Sequence, residues 1–140
     1  MAGARTTAAE AETAGARQIV YLGGLGEEGE EGEELSPHLR SRLETGRALA
    51  SGAVPLTTLR AAVVVGKGSA AFETLVALVD RLPVMVAPRW VSTPTQPIAL
   101  ADTVRYLAAV AGREETIGET YDLGGPEVMT YRQMIERVAD

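Results

Sequence analysis

The sequence is 140 residues long with a net charge of −6, no cysteine and a single histidine. Such a length allows one domain with a core of its own; the acidic balance argues against a phosphate-backbone partner, which needs clustered Lys and Arg, and the missing thiols exclude disulfide frameworks and thiolate zinc sites. No apolar run approaches the roughly 18 residues of a membrane span, and the N-terminus lacks the charged start and apolar stretch of a signal peptide, so the expectation is a cytoplasmic protein with no metal, no nucleic acid and no membrane partner.

Residues 1–16 are rich in Ala, Thr and Glu with little apolar periodicity, which suits a solvated helix or a loose extension ahead of a domain over 17–140. Residues 18–22, QIVYL, form a short β-prone run closed by Gly23 and Gly24, the pattern of a buried parallel strand. The Glu- and Gly-rich run over 27–35 carries like charges that repel, which predicts a loop. It lacks the preorganised oxygen cage of a calcium site.

Ser36 as N-cap and Pro37 at the first helical position open a helix that runs to Ser51 and ends at Gly52, with Leu39, Leu43, Gly46 and Leu49 near one face. Residues 54–65 read as a strand-like apolar run, followed by a glycine turn at Gly66 and Gly68 and a helix over 69–82. A short apolar stretch over 83–87, a proline-punctuated loop over 89–97 around Trp90, and a brief strand over 98–100 come next. Asp102 caps a helix from Thr103 to Ala111, residues 120–123 form a strand, Gly124, Gly125 and Pro126 turn, and Thr130 caps a last amphipathic helix. The alternation of strands and helices predicts an α/β fold with a mainly parallel sheet, and such sheets place ligands at the C-terminal ends of their strands.

Strung together, VYLGGLGEEG, LSPHLRSRLETGRAL, VPLTTLRAAVVVGKGS, QPIALADTVRYL and TYDLGGPEVMTYRQM resemble the second half of the atypical, NmrA-like and extended short-chain dehydrogenase/reductases, over residues 15–140. The resemblance implies a partial Rossmann-like, doubly wound sheet that lacks its N-terminal strands. It further implies NAD or NADP as cofactor, a small-molecule substrate, and a homo-oligomer or a sheet-completing partner. The family's G-x-x-G-x-x-G turn holds the pyrophosphate on backbone amides and a helix N-terminus; here that spacing occurs only at Gly23, Gly26 and Gly29 and at Gly26, Gly29 and Gly32, leading into and through the acidic run. Gly23, Gly24 and Gly26 lead into acidic residues that repel phosphate.

Where the family carries Tyr-x-x-x-Lys, this sequence has His38 and Arg42, neighbours on one helix face. The resemblance makes them the catalytic positions, with His38 moving a proton near neutral pH and Arg42 holding a ribose or phosphate oxygen. The plainer alternative is a tolerated first-turn histidine and a surface arginine pairing with Glu44 or Glu34. Gly23, Gly24, Arg60, Ala61, Ala62 and Val63 are the implied cofactor positions, with an ordinary buried strand as the alternative for the last four. Arg89, Trp90 and Gln96 fall in the implied substrate cleft, unless Trp90 only anchors a proline-rich loop.

Three functions follow from these residues. An NAD(P)-dependent oxidoreductase or epimerase-like enzyme follows from the family segments. A non-enzymatic dinucleotide sensor of NmrA-like type follows from the changed Tyr and Lys positions. An inactive fragment or interaction subunit, with an open sheet edge ready to pair, follows from the missing first strands.

Overall fold

The computed structural model describes residues 2–25, 37–66, 73 and 92–139, apart from the side chains of residues 38, 135, 138 and 139. The readings of the acidic run, of the helix over 69–82, of 83–87 and of Arg89 and Trp90 lie outside the described residues. In chain order the elements are α1 (Ala2–Thr13), β1 (Ile19–Gly24), α2 (Pro37–Ala50), β2 (Leu56–Ala61), β3 (Val64–Val65), β4 (Pro94–Thr95), β5 (Ile98–Ala99), α3 (Leu100–Val110), a 3-10 turn (Glu114–Thr116), β6 (Thr120–Leu123), β7 (Met129–Thr130) and α4 (Tyr131–Ala139). They divide into two compact units, Met1–Ala61 with Arg105–Leu123, and Ala62–Val104 with Gly124–Asp140.

The first unit is built on a three-stranded parallel sheet in the order β1-β2-β6. The central strand β2 alternates, with Thr57, Leu59 and Ala61 buried and Leu56, Thr58 and Arg60 half-buried, so the two faces of the sheet meet different surroundings. Leu59, only 1% exposed, is the best-buried apolar residue of this unit and contributes about 2 kcal/mol through apolar area removed from water. Helix α2 lies against β1 and β2, and α1 packs on α2. That close approach rests on small residues: Ala8 is buried, and a Cβ on Gly52 would stand 3.0 Å from the Ala8 Cβ.

One polar cluster holds the far end of the same sheet. Gln18 Nε2 donates to Thr57 Oγ1 at 2.7 Å and to the Val110 carbonyl at 3.2 Å, and its Oε1 accepts from the Gly112 N–H at 2.8 Å. The Thr57 hydroxyl donates to the Thr116 carbonyl at 2.6 Å, while the Thr116 hydroxyl donates to the Val110 carbonyl at 2.7 Å. Each buried side-chain polar atom of this cluster therefore has a partner, the condition on which its burial depends.

In the second unit β3 pairs in parallel with β5, Val64 opposite Ile98, and β4 pairs antiparallel with β7, Thr95 opposite Met129. Val63 and Met134 form its core together with Val65, Met129 and Tyr131. Thr130 opens α4 with a reciprocal cap. Its hydroxyl accepts the Gln133 N–H at 3.2 Å, and Gln133 Oε1 accepts the Thr130 N–H at 2.8 Å, the Thr-x-x-Gln form of the capping box.

The α/β class and the mainly parallel sheet are those expected, but several local readings change. Gly23 and Gly24 are the last residues of β1 rather than a turn after it, because each pairs in register with β2. The apolar run over 54–65 is two strands in two sheets: Ala62 is exposed, and the Val63 carbonyl accepts the Ile98 N–H at 2.9 Å. Pro94 and Thr95, expected in a loop, form β4, where pairing with β7 outweighs the weak strand propensity of proline. Asp102 is not a cap but a first-turn residue of α3, since the chain passes directly from β5 into the helix at Leu100 and Thr103 donates to the Ala99 carbonyl at 3.1 Å.

Candidate functional site

The C-terminal ends of β1 and β2 bring four of the implied cofactor positions together. Gly23 stands opposite Arg60 and Gly24 opposite Ala61 in the parallel ladder. Three of the four carry no side chain or a methyl group only. Arg60 is different: its guanidinium grips Asp122 of β6 through Nε to Oδ1 at 2.6 Å and Nη2 to Oδ2 at 3.2 Å. Arg60 and Asp122 are in-register neighbours on adjacent strands, which gives this fork-to-fork pairing its geometry.

Arg42, in the middle of α2, reaches back to the same strand. Its Nη2 donates to the Leu22 carbonyl at 2.6 Å, and the Tyr21 hydroxyl donates to the Arg42 carbonyl at 3.1 Å. The two bonds tie α2 to the middle of β1. Gly46 makes the contact close, for a Cβ there would lie 3.4 Å from the Tyr21 ring. His38 sits one turn before Arg42 on α2, and its side chain is among those not described.

A groove of about 280 Å³ runs along the α2 side of this sheet, with Tyr21, Gly46, Arg47, Thr58 and Arg60 among its walls. The remaining implied cofactor residues, Ala62 and Val63, belong to the second unit. There Val63 is 6% exposed and packs in the core. Gln96 also lies in the second unit and donates from Nε2 to the Gly125 carbonyl at 2.6 Å. A Cβ on Gly124 would stand 2.5 Å from Gln96 Cδ, and one on Gly125 would overlap the Pro97 carbonyl oxygen. The two glycines of the GGP turn thus let residues 96 and 97 come against it.

Sequence reasoning missed Asp122 as the partner of Arg60 and Tyr21 as the partner of Arg42. The pairing of β2 with β6 and the seat of α2 are long-range facts that no local pattern carries. Among the described residues no three His, Asp or Glu side chains stand close enough to hold a metal ion, and no described helix is long and apolar enough to cross a membrane.

No family model matches the chain, and no curated protein sequence matches it. Solved structures do. The enzyme WbmG of Bordetella bronchiseptica, in complex with NAD and UDP, superposes with a TM-score of 0.74 at 16% identity, over 97% of this chain and 47% of that one. This chain shares its Rossmann-like α/β fold. A dTDP-glucose 4,6-dehydratase of Streptomyces venezuelae with NAD bound shares it at TM-score 0.72 and 18% identity, over 97% of this chain and 47% of that one. So does a UDP-glucose 4-epimerase of Thermotoga maritima, at 0.72 and 15%, over 97% and 50%. The chain therefore spans about half the length of the Rossmann-type enzymes it matches.

Proposed function

We propose that this chain is an NAD(P)-binding protein of oxidoreductase or epimerase type, in which the C-terminal ends of β1 and β2 receive the nicotinamide side of the dinucleotide. The observation that carries the reading is the register that sets Gly23 and Gly24 beside Arg60 and Ala61, with Arg42 anchored on the adjoining Leu22 carbonyl. The small residues leave the backbone open to a planar ring, and Arg42 supplies a cation for a ribose or phosphate oxygen. His38, one turn away on α2, is the proton-moving group of this reading, and Arg89, Trp90 and Gln96 contact a small-molecule substrate. When bound, the cofactor supplies the hydride chemistry; these residues orient it and manage the proton. The G-x-x-G-x-x-G spacings that start at Gly23 and Gly26 run into Glu-rich sequence whose charge repels phosphate, so the reading assigns pyrophosphate binding to polypeptide other than these residues. The setting is cytoplasmic.

A second reading, a dinucleotide sensor of NmrA-like type without turnover, is favoured by one observation. The Arg42 guanidinium is bonded to a backbone carbonyl at 2.6 Å, an arrangement that serves structure as well as it serves chemistry. Thermal melts with and without NADH or NADPH test the shared claim. Ligand at about a hundred times its dissociation constant adds roughly 2.7 kcal/mol to a binding-competent fold, and a melt indifferent to both nucleotides overturns both readings. Given binding, His38→Ala separates the two: loss of turnover supports the enzyme, and unchanged nucleotide affinity with no turnover in either form supports the sensor.

A further inference from the structure

Tyr21 and Leu22 are consecutive residues of β1, and both hold one residue of α2. The Tyr21 hydroxyl donates to the Arg42 carbonyl at 3.1 Å, and the Leu22 carbonyl accepts Arg42 Nη2 at 2.6 Å. Arg42 is thereby pinned twice, through its backbone by a side chain of the strand and through its side chain by the backbone of the strand.

The bond from Tyr21 is not one the helix requires. Arg42 stands inside α2, where helix geometry already commits its carbonyl to the N–H four residues on, that of Gly46. A carbonyl oxygen has a second lone pair, and Tyr21 takes it from a ring that lies against the helix at the same glycine: a Cβ on Gly46 would stand 3.4 Å from Tyr21 Cε1. A phenylalanine ring would fill that space equally well, so the hydroxyl acts on position rather than on bulk.

Position matters because of what Arg42 carries and where. Leu22 leads directly into Gly23 and Gly24, which stand opposite Arg60 and Ala61. An arginine side chain is long and rich in rotamers, and ordering it only when a ligand arrives weakens the binding it provides. A phenol bonded to the Arg42 backbone fixes the point from which that side chain starts. We propose that Tyr21 is a positioning residue: it holds the α2 turn so that the Arg42 guanidinium is delivered beside Gly23 and Gly24, oriented for a ribose or phosphate oxygen of a dinucleotide. The proposal rests on the dinucleotide reading and deepens it, since Tyr21 acts through Arg42 and not on the nucleotide itself.

The test is a double-mutant cycle read in nucleotide affinity. Wild type, Tyr21→Phe, Arg42→Ala and the double variant are titrated with NADH and NADPH, followed by the fluorescence of the reduced nicotinamide, with a thermal melt of each protein. Tyr21→Phe is expected to weaken binding roughly three- to tenfold, the weight of one hydrogen bond, and to change nothing further once Arg42 is alanine. A merely structural role would lower the melting midpoint and leave the affinity of the folded protein as it was; that result overturns the proposal, as does an equal loss of affinity in both backgrounds. Wild type that binds neither nucleotide overturns the dinucleotide reading and the proposal together, whereas wild type that binds, with Tyr21→Phe its equal, overturns the proposal alone. Should Tyr21→Phe lose its fold, the guanidinium resonances of Arg42 in wild type decide: they move on adding nucleotide if the proposal holds, and resonances that stay in place overturn it.

Discussion

Gln18 and Thr57 meet in a 2.7 Å hydrogen bond at the point where the approach to β1, the strand β2, the end of α3 and the 3-10 turn converge. Thr57 is fully buried, and its hydroxyl also accepts the Gly118 N–H at 3.3 Å. Replacing it with an isosteric apolar group leaves several donors and acceptors without partners.

Thr57→Val is therefore expected to cost about 2–3 kcal/mol, the penalty of stranded buried polar groups, and to lower the melting midpoint by roughly 5–10 °C for a chain of this size. Gln18→Ala removes a second member of the same cluster, so the double variant is expected to lose less than the sum of the two. Thermal melts of the three variants check both statements.

Arg60 and Asp122 give a smaller, salt-dependent effect. The geometry is bidentate, but the Asp122 side chain is 55% exposed, so Asp122→Asn is expected to cost about 0.5–1 kcal/mol in dilute buffer and less at about 1 M salt, where screening reaches roughly 3 Å. In the dinucleotide reading the same change releases the Arg60 guanidinium and tightens nucleotide binding. Urea melts at two salt concentrations and a nucleotide titration measure the two arms.

Gly125→Ala is expected to be strongly destabilising, by more than about 2 kcal/mol. Its new Cβ would meet the Pro97 carbonyl oxygen, a backbone atom that cannot swing aside. Melts and the exchange of the Gln96 side-chain amide, which is bonded to the Gly125 carbonyl, report the displacement.

Gly46→Ala is expected to act in the opposite sense. The nearest atom to its Cβ is Tyr21 Cε1 at 3.4 Å, an ordinary contact, and replacing a mid-helix glycine recovers about 0.5–1 kcal/mol of helix propensity. A midpoint that falls instead would show that the Tyr21 ring needs the full width of the glycine gap.

The parts of the fold written in local pattern were legible. Residues 120–123 form the expected strand, Pro37 opens α2 as a proline at the first helical position should, and Thr130 caps α4 through Gln133. What local pattern cannot carry is register. The break after Ala61 separates two strands of one apolar run because Val64 and Val65 find Ile98 and Ala99 as neighbours. Of the site, the proximity of Gly23 and Gly24 to Arg60 and Ala61 follows from the parallel sheet itself. The engagement of Arg60 by Asp122 and of Arg42 by Leu22 depends on contacts between distant segments, which residue types alone leave open.

The order in which the sheet strands occur along the chain has a consequence for biosynthesis. β2 lies between β1 and β6, yet Thr58 waits for Thr120 as its neighbour in the ladder. As the polypeptide leaves the ribosome, β1 and β2 emerge before β6 and pair while the other side of β2 stays bare. Non-local strand pairing of this kind is slow and exposes edges while it is incomplete. The nascent chain therefore carries an unsealed β2 until β6 has been translated, and that interval is when a holdase chaperone has most to bind.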